Sequence, residues 1–253
     1  MGAEFCRRLD ALNLDSIWLI ARRKALLDDI AASLKTSTRV IPADLTDRAE
    51  LDSIRALIDA EKPEICFLVN CAGFGKFGMT WELPKEQTRA MIDLNVTALV
   101  EMTNICIPYM KRGSHIIELC SESAYLPLYD LNVYASTKAF VRHFCNALRI
   151  ELKDRGITVT EVSPGWVRTD FIDITLTESD VPKKVFTNAV SKEEVVEAAL
   201  KAAIKGKKRS VCGFTNKLIV FMCTHFPGIG ERVSSIKSGL FRQHPSVARK
   251  SFR

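Results

Sequence analysis

Unbroken apolar runs in this sequence are few and short. The densest run, residues 218–222, falls well short of the roughly 20 residues a spanning helix needs and reads as a buried strand or helix end. Met1-Gly2-Ala3-Glu4-Phe5 has no apolar core, so no secretory leader is expected. The eight cysteines form no Cys-x-x-Cys and no paired spacing, which argues against a disulfide framework or a zinc site. Cys66, Cys106, Cys120 and Cys145 stand inside apolar runs, where a free thiol behaves as a small buried hydrophobe. A reducing compartment, the cytoplasm, is the expected location. The four histidines (His115, His143, His225, His244) have no ligand-like spacing. Internal repeats and low-complexity tracts are also missing.

The net charge is +6, with most basic residues interleaved with acids, as in Arg48-Ala49-Glu50. Without a clear basic stripe, a nucleic-acid partner is not expected. The clusters at 183–184 and 207–209 read as solvated element ends.

Apolar periodicity alternates between two kinds along the chain. Phe5, Leu9 and Leu12 recur at helical spacing, and Ile17-Trp18-Leu19-Ile20 reads as a strand buried on both faces. Helical patterns over 25–34, 47–60, 86–110, 133–153 and 192–205 alternate with extended runs at 40–41, 65–69, 115–120, 157–162 and 210–212. This alternation predicts an α/β fold with a doubly wound parallel sheet, in one domain spanning 1–253. Ligands of such sheets bind beyond the carboxyl ends of the strands. The residues after Ile20, Ile41, Val69, Leu119 and Val162 are therefore the ones to inspect.

Tyr134-Ala135-Ser136-Thr137-Lys138 puts a phenol and an ammonium one helical turn apart. A cation near a phenol favours phenolate and makes it a better proton donor or acceptor near neutral pH. By itself this spacing also suits an amphipathic helix with a snorkelling lysine. Three features add to it: Ser121 at the end of a strand, Asn70-Cys71-Ala72-Gly73 after another, and Ser163-Pro164-Gly165 after a third. Ser121 lacks the G-x-S-x-G context of a hydrolase nucleophile.

In this order and spacing the motifs resemble the short-chain dehydrogenase/reductase family over almost the whole chain. The resemblance implies a Rossmann-like fold and hydride transfer between a nicotinamide dinucleotide and a ketone or secondary alcohol. It assigns Tyr134 as general acid/base and Lys138 as the cation that lowers its pKa and bonds the ribose. Ser121 polarises the carbonyl, and Asn95 supports a water in the proton path. The cofactor set it implies is Gly2, Asp44, Leu45, Asn70, Ala72, Gly73, Tyr134, Lys138, Pro164, Gly165 and Thr169.

After the strand ending at Ala21 stand Arg22 and Arg23 and no acid, so a 2′-phosphate is favoured and NADP(H) is expected over NAD(H). Phe74, Phe77, Tyr125, Leu126, Tyr129, Trp166 and the segment 171–186 are expected to line a pocket for a small hydrophobic carbonyl or alcohol. The long helices suggest a homodimer or homotetramer, and residues 214–253 suit either a cap over the pocket or a contact surface. One departure stands out: the family's first strand and most of its glycine-rich turn have no counterpart before the first helix. The centre of the sheet is thus expected to lack a strand. A non-catalytic scaffold or dinucleotide sensor is the alternative reading, and the native start is expected to lie upstream of Met1.

Overall fold

The computed structural model describes residues 1–169, 189–226 and 228–232. Helix α1 (Gly2–Leu9) leads into β1 (Ser16–Ala21), α2 (Lys24–Ala32), β2 (Ser37–Pro42) and α3 (Arg48–Glu61). Asp47 starts α3 by accepting hydrogen bonds from the N–H groups of Ala49 and Glu50, while Leu51, Ile54 and Ile58 turn one face inward. After β3 (Phe67–Asn70), α4 (Lys85–Ile92) and α5 (Ala98–Cys106) are joined by a π-helical turn, Asp93–Thr97. Then follow β4 (His115–Leu119), a short 3₁₀ turn (Glu122–Tyr125), α6 (Asn132–Glu151) and β5 (Thr158–Val162). The chain is described again through α7 (Lys192–Ile204), β6 (Arg209–Ser210) and α8 (Phe214–His225).

All strand pairs are parallel, as the alternation predicts, but the sheet is split. β1 pairs with β2 alone, and β3, β4, β5 and β6 form a second sheet in that order. Among the described residues no strand joins β1 to β3, so the doubly wound sheet expected as one body is two. The break falls where the central strand was expected to be missing. Apolar packing still spans it: Ile17 and Leu19 of β1 cluster with Ile117 and Val162 of the larger sheet, and Trp18 and Ile20 pack on the core that holds Leu68 and Ile116.

Several boundaries differ from the sequence reading. The helix expected over 86–110 is interrupted by the π turn, and the strand expected at 65–69 is Phe67–Asn70. Residues 218–222 belong to α8. Cys66, expected in the core, is exposed, because it precedes β3 and does not lie within it. The segment Lys85–Tyr109 is apolar enough by composition to cross a membrane, yet its apolar residues pack inside the protein: Leu99, Met102 and Ile105 are buried in the main core and Met91 against Leu131 and Tyr134.

Candidate active site

The carboxyl ends of β3, β4 and β5 converge on a cavity of about 290 Å³. Gly2, Arg23, Gly73, Ser121, Tyr134, Lys138, Pro164, Gly165 and Thr169 line it, all anticipated from the sequence. Ser121 follows β4 as the cap of the 3₁₀ turn, its Oγ accepting from the Ser123 N–H at 3.1 Å. Tyr134 and Lys138 reach the cavity from the buried face of α6. The Ser121 hydroxyl shares the cavity lining with the Tyr134 phenol and favours its ionised form.

Burial holds the Tyr134 phenol well above its ordinary pKa; the Ser121 hydroxyl opposes this, and Cys120 and Glu122 reinforce it. The expected lowering by Lys138 is not what this geometry shows. The Lys138 Nζ donates to the Leu119 carbonyl at 2.7 Å and lies 5.8 Å from the Tyr134 ring centre. Burial lowers the Lys138 pKa, with Cys120 and Glu118 the largest opposing influences.

Asn95 does not line the cavity. It sits fully buried in the π turn and grips the loop after β3. Its Oδ1 accepts from the Phe74 N–H at 3.0 Å, and its Nδ2 donates to the Phe74 carbonyl at 2.9 Å and to Thr137 Oγ1 at 3.1 Å. The clamp explains Gly73, where a Cβ would stand 2.8 Å from Asn95 Oδ1. At Gly165, a Cβ would stand 2.7 Å from the side chain of Asn216 on α8.

The side chain of Asn70 turns into the core, contrary to its expected place at the cofactor. Its Nδ2 donates to Glu118 Oε1 at 3.0 Å and to Thr103 Oγ1 at 2.9 Å. Ala72 is exposed and outside the cavity lining. Arg22 and Asp44 form an ion pair at 3.6 Å beyond the ends of β1 and β2, away from the cavity wall, and Leu45 packs on the core. The hydrogen bonds of Asp44 to Thr46 and the Arg22 charge overcome burial and lower its pKa.

Of the expected pocket aromatics only Trp166 lines the cavity. Tyr125 and Leu126 are buried in the main core, and Phe74 and Phe77 pack around Met91 and Leu131. The segment 171–186 lies outside the described residues. Sequence reasoning missed Cys71, Cys120, Leu128 and Leu131 in the cavity lining, and Glu118 beneath it. Burial pushes the Glu118 carboxyl up to about 7 against the lowering bonds from Asn70 and Thr103.

The sequence matches the short chain dehydrogenase family over residues 1–180. The chain belongs to that family. The NADP-dependent 3-hydroxy acid dehydrogenase YdfG of Escherichia coli (strain K12) is 34% identical to it over 185 residues, 70% of this chain and 74% of that protein. A closed form of serine dehydrogenase complexed with NADP+ aligns at 28% identity and TM-score 0.73, over 83% of this chain and 89% of its own. A short-chain dehydrogenase from Sphingobium yanoikuyae in complex with NADPH has the same fold at TM-score 0.75 and 24% identity, covering 100% of this chain and 93% of that one. As a short-chain dehydrogenase, the chain is an oxidoreductase with a Rossmann-like α/β fold.

Proposed function

We propose that this dehydrogenase transfers hydride between NADP(H), in preference to NAD(H), and a small hydrophobic ketone or secondary alcohol. The observation that carries the reading is that Ser121, Tyr134 and Lys138 line one cavity, all three nearly excluded from solvent.

The residues present suit a dinucleotide. Gly2 brings the N-terminus of α1 to the cavity, where its N–H groups favour a pyrophosphate. Gly73 and Gly165 line the cavity with bare backbone, which lets a ligand approach closely. Arg23 in the lining and Arg22 beside it are the cations for a 2′-phosphate. The NADP-dependent relative and the NADP+ and NADPH complexes support the same preference. Lys138 and Thr169 are the residues for the ribose and the nicotinamide amide.

When bound, the dinucleotide supplies or accepts the hydride. Tyr134 gives its proton to the substrate oxygen as negative charge develops there, and Ser121 offers that oxygen a second donor. A phenol held above its ordinary pKa keeps its proton at neutral pH, which suits the reductive direction. Leu128, Leu131 and Trp166 supply an apolar wall to the substrate space. The exposed Phe140 and Ile150 on α6 support a homodimer or homotetramer, and eight cysteines with no disulfide among them support a cytoplasmic location.

The test is a fluorescence titration with NADPH and NADH, followed by turnover on a panel of ketones. Saturable binding that favours NADPH, with turnover lost in Tyr134→Phe, is the expected result. A second reading, a dinucleotide sensor without turnover, draws on the split sheet and on the bond from Lys138 to Leu119. Binding without turnover on any substrate would favour it, and no binding by folded protein would remove both.

A further inference from the structure

A row of polar side chains runs across the larger sheet behind the cavity. The register sets Asn70 of β3 beside Glu118 of β4, Glu118 beside Glu161 of β5, and Glu161 beside Arg209 of β6. Residues in register on parallel strands share one face of the sheet. Both acids are buried, Glu118 with 0% and Glu161 with 1% of its surface exposed.

The two carboxylates are not equally provided for. Glu161 accepts hydrogen bonds from Tyr125 and Ser163 and pairs with Arg209 at 3.5 Å. Glu118 accepts from Asn70 and Thr103 through Oε1 alone, and its Oε2 is buried without a hydrogen-bond partner among the described residues. An acid placed in this way costs stability, so holding the fold is not its role.

The cavity brings a cation to it. α6 packs over the same face, its Val141 and Cys145 clustering with Ile116 and Cys120 of the chain around Glu118. Cys120, two residues beyond Glu118, donates from its thiol to the Lys138 carbonyl at 3.2 Å. The Lys138 ammonium donates to the carbonyl of Leu119, the residue after Glu118. Burial opposes both charges, and each favours the ionised form of the other. The titratable groups that face the pair from α5, α6 and the strand ends are Tyr134 and the thiols of Cys71, Cys106, Cys120 and Cys145, all held protonated by burial. Glu161 has Arg209 as its own counter-charge.

We propose that Glu118 is a positioning residue of the hydride-transfer site, its carboxylate the buried counter-charge that keeps the Lys138 ammonium ionised for the cofactor ribose and for Tyr134. This role rests on the proposed redox function. A buried ammonium without a counter-charge gives up its proton at lower pH.

The test compares wild type, Glu118→Gln and Glu118→Asp by fluorescence titration with NADPH and by ketone reduction, from about pH 5 to about pH 9. Burial pushes the Glu118 carboxyl up to about 7, so at the acid end it is neutral in the wild type and the Gln variant is expected to match it. At the alkaline end NADPH affinity and kcat/KM are both expected to fall about one pH unit earlier in Glu118→Gln, a loss of about tenfold. Urea unfolding is expected to show that variant at least as stable as the wild type, since it removes a buried charge. Glu118→Asp keeps the charge but withdraws it, and is expected to lie between the two. A packing role reverses that order, because Asp leaves a gap and Gln does not. Superposable pH profiles for wild type and Glu118→Gln, or a larger loss in Glu118→Asp, would overturn the role and leave the redox reading intact. Should Glu118→Gln misfold, an unmoved alkaline limb in Glu118→Asp overturns it equally. A wild type that binds no NADPH would remove both.

Discussion

Burial sets the chemistry of Tyr134 more strongly than its neighbours do. The phenol is shielded, its pKa is raised, and Ser121 shares its cavity. Tyr134→Phe removes the only atom able to move the proton while keeping the ring, so kcat is expected to fall by about 10²–10⁴ with NADPH affinity little changed. Steady-state kinetics and the fluorescence titration check both halves.

Beneath it, Glu118 offers a pH test. Its folded pKa, about 7, lies above its ordinary value of 4.5. Below the ordinary value the folded and unfolded forms are both protonated and the group is neutral to stability. As pH rises towards 7 the unfolded form ionises first, so this carboxyl progressively disfavours folding, and above that the penalty is constant. Glu118→Gln is expected to gain about 3 kcal/mol over the wild type by pH 8 and to lose that advantage near pH 4. Urea unfolding at the two pH values measures it, and a pH-independent difference would sink the idea.

Ser121, Tyr134 and Lys138 were legible because their roles depend on spacing along one strand end and one helix face. Asn70 and Glu118 were not, since a strand buried on both faces gives no sequence signal for which side a polar group takes.

At the scale of elements, the π turn between α4 and α5 shows what periodicity conceals. The pattern over 86–110 is helical throughout, and one residue too many in a turn leaves composition unchanged. That turn carries Asn95, whose three hydrogen bonds fix the loop after β3 against α6. Asn95→Ala leaves the backbone groups of Phe74 without these partners in a buried setting. It is expected to cost about 2–3 kcal/mol in urea unfolding and to weaken NADPH binding through the displaced Gly73. The bounds of α3 and α7 were easier to read, because each is stopped or started by chemistry written in the chain. Ser191 and Glu194 form a reciprocal cap on α7, and Ser191→Ala is expected to cost about 1 kcal/mol.

For the whole molecule, the parallel sense of the strands followed from the alternation of patterns. The consequence of a missing central strand was visible only as the absence of a motif. Among the described residues it becomes two edges without a strand partner, on β1 and β3, while β4 is paired on both sides and carries the fully buried Ile116 and Ile117. Amide hydrogen exchange is expected to be slowest in β4 and β5 and faster along the unpaired edges of β1 and β3. Uniform protection across all of these strands would show that the edges are covered.

The split also changes what kind of distance the cavity width is. Arg23, on one side, follows β1; Ser121, Tyr134 and Lys138, on the other, belong to the sheet of β3 to β6. Among the described residues no ladder of strand hydrogen bonds runs between those sheets, and the break is spanned by nondirectional packing such as that of Ile17, Leu19, Ile117 and Val162. A hydrogen-bond ladder fixes spacing in steps, whereas apolar side chains can slide by fractions of an ångström at small cost. The gap that a dinucleotide would bridge is therefore a compliant dimension of this molecule, one that occupancy itself would set.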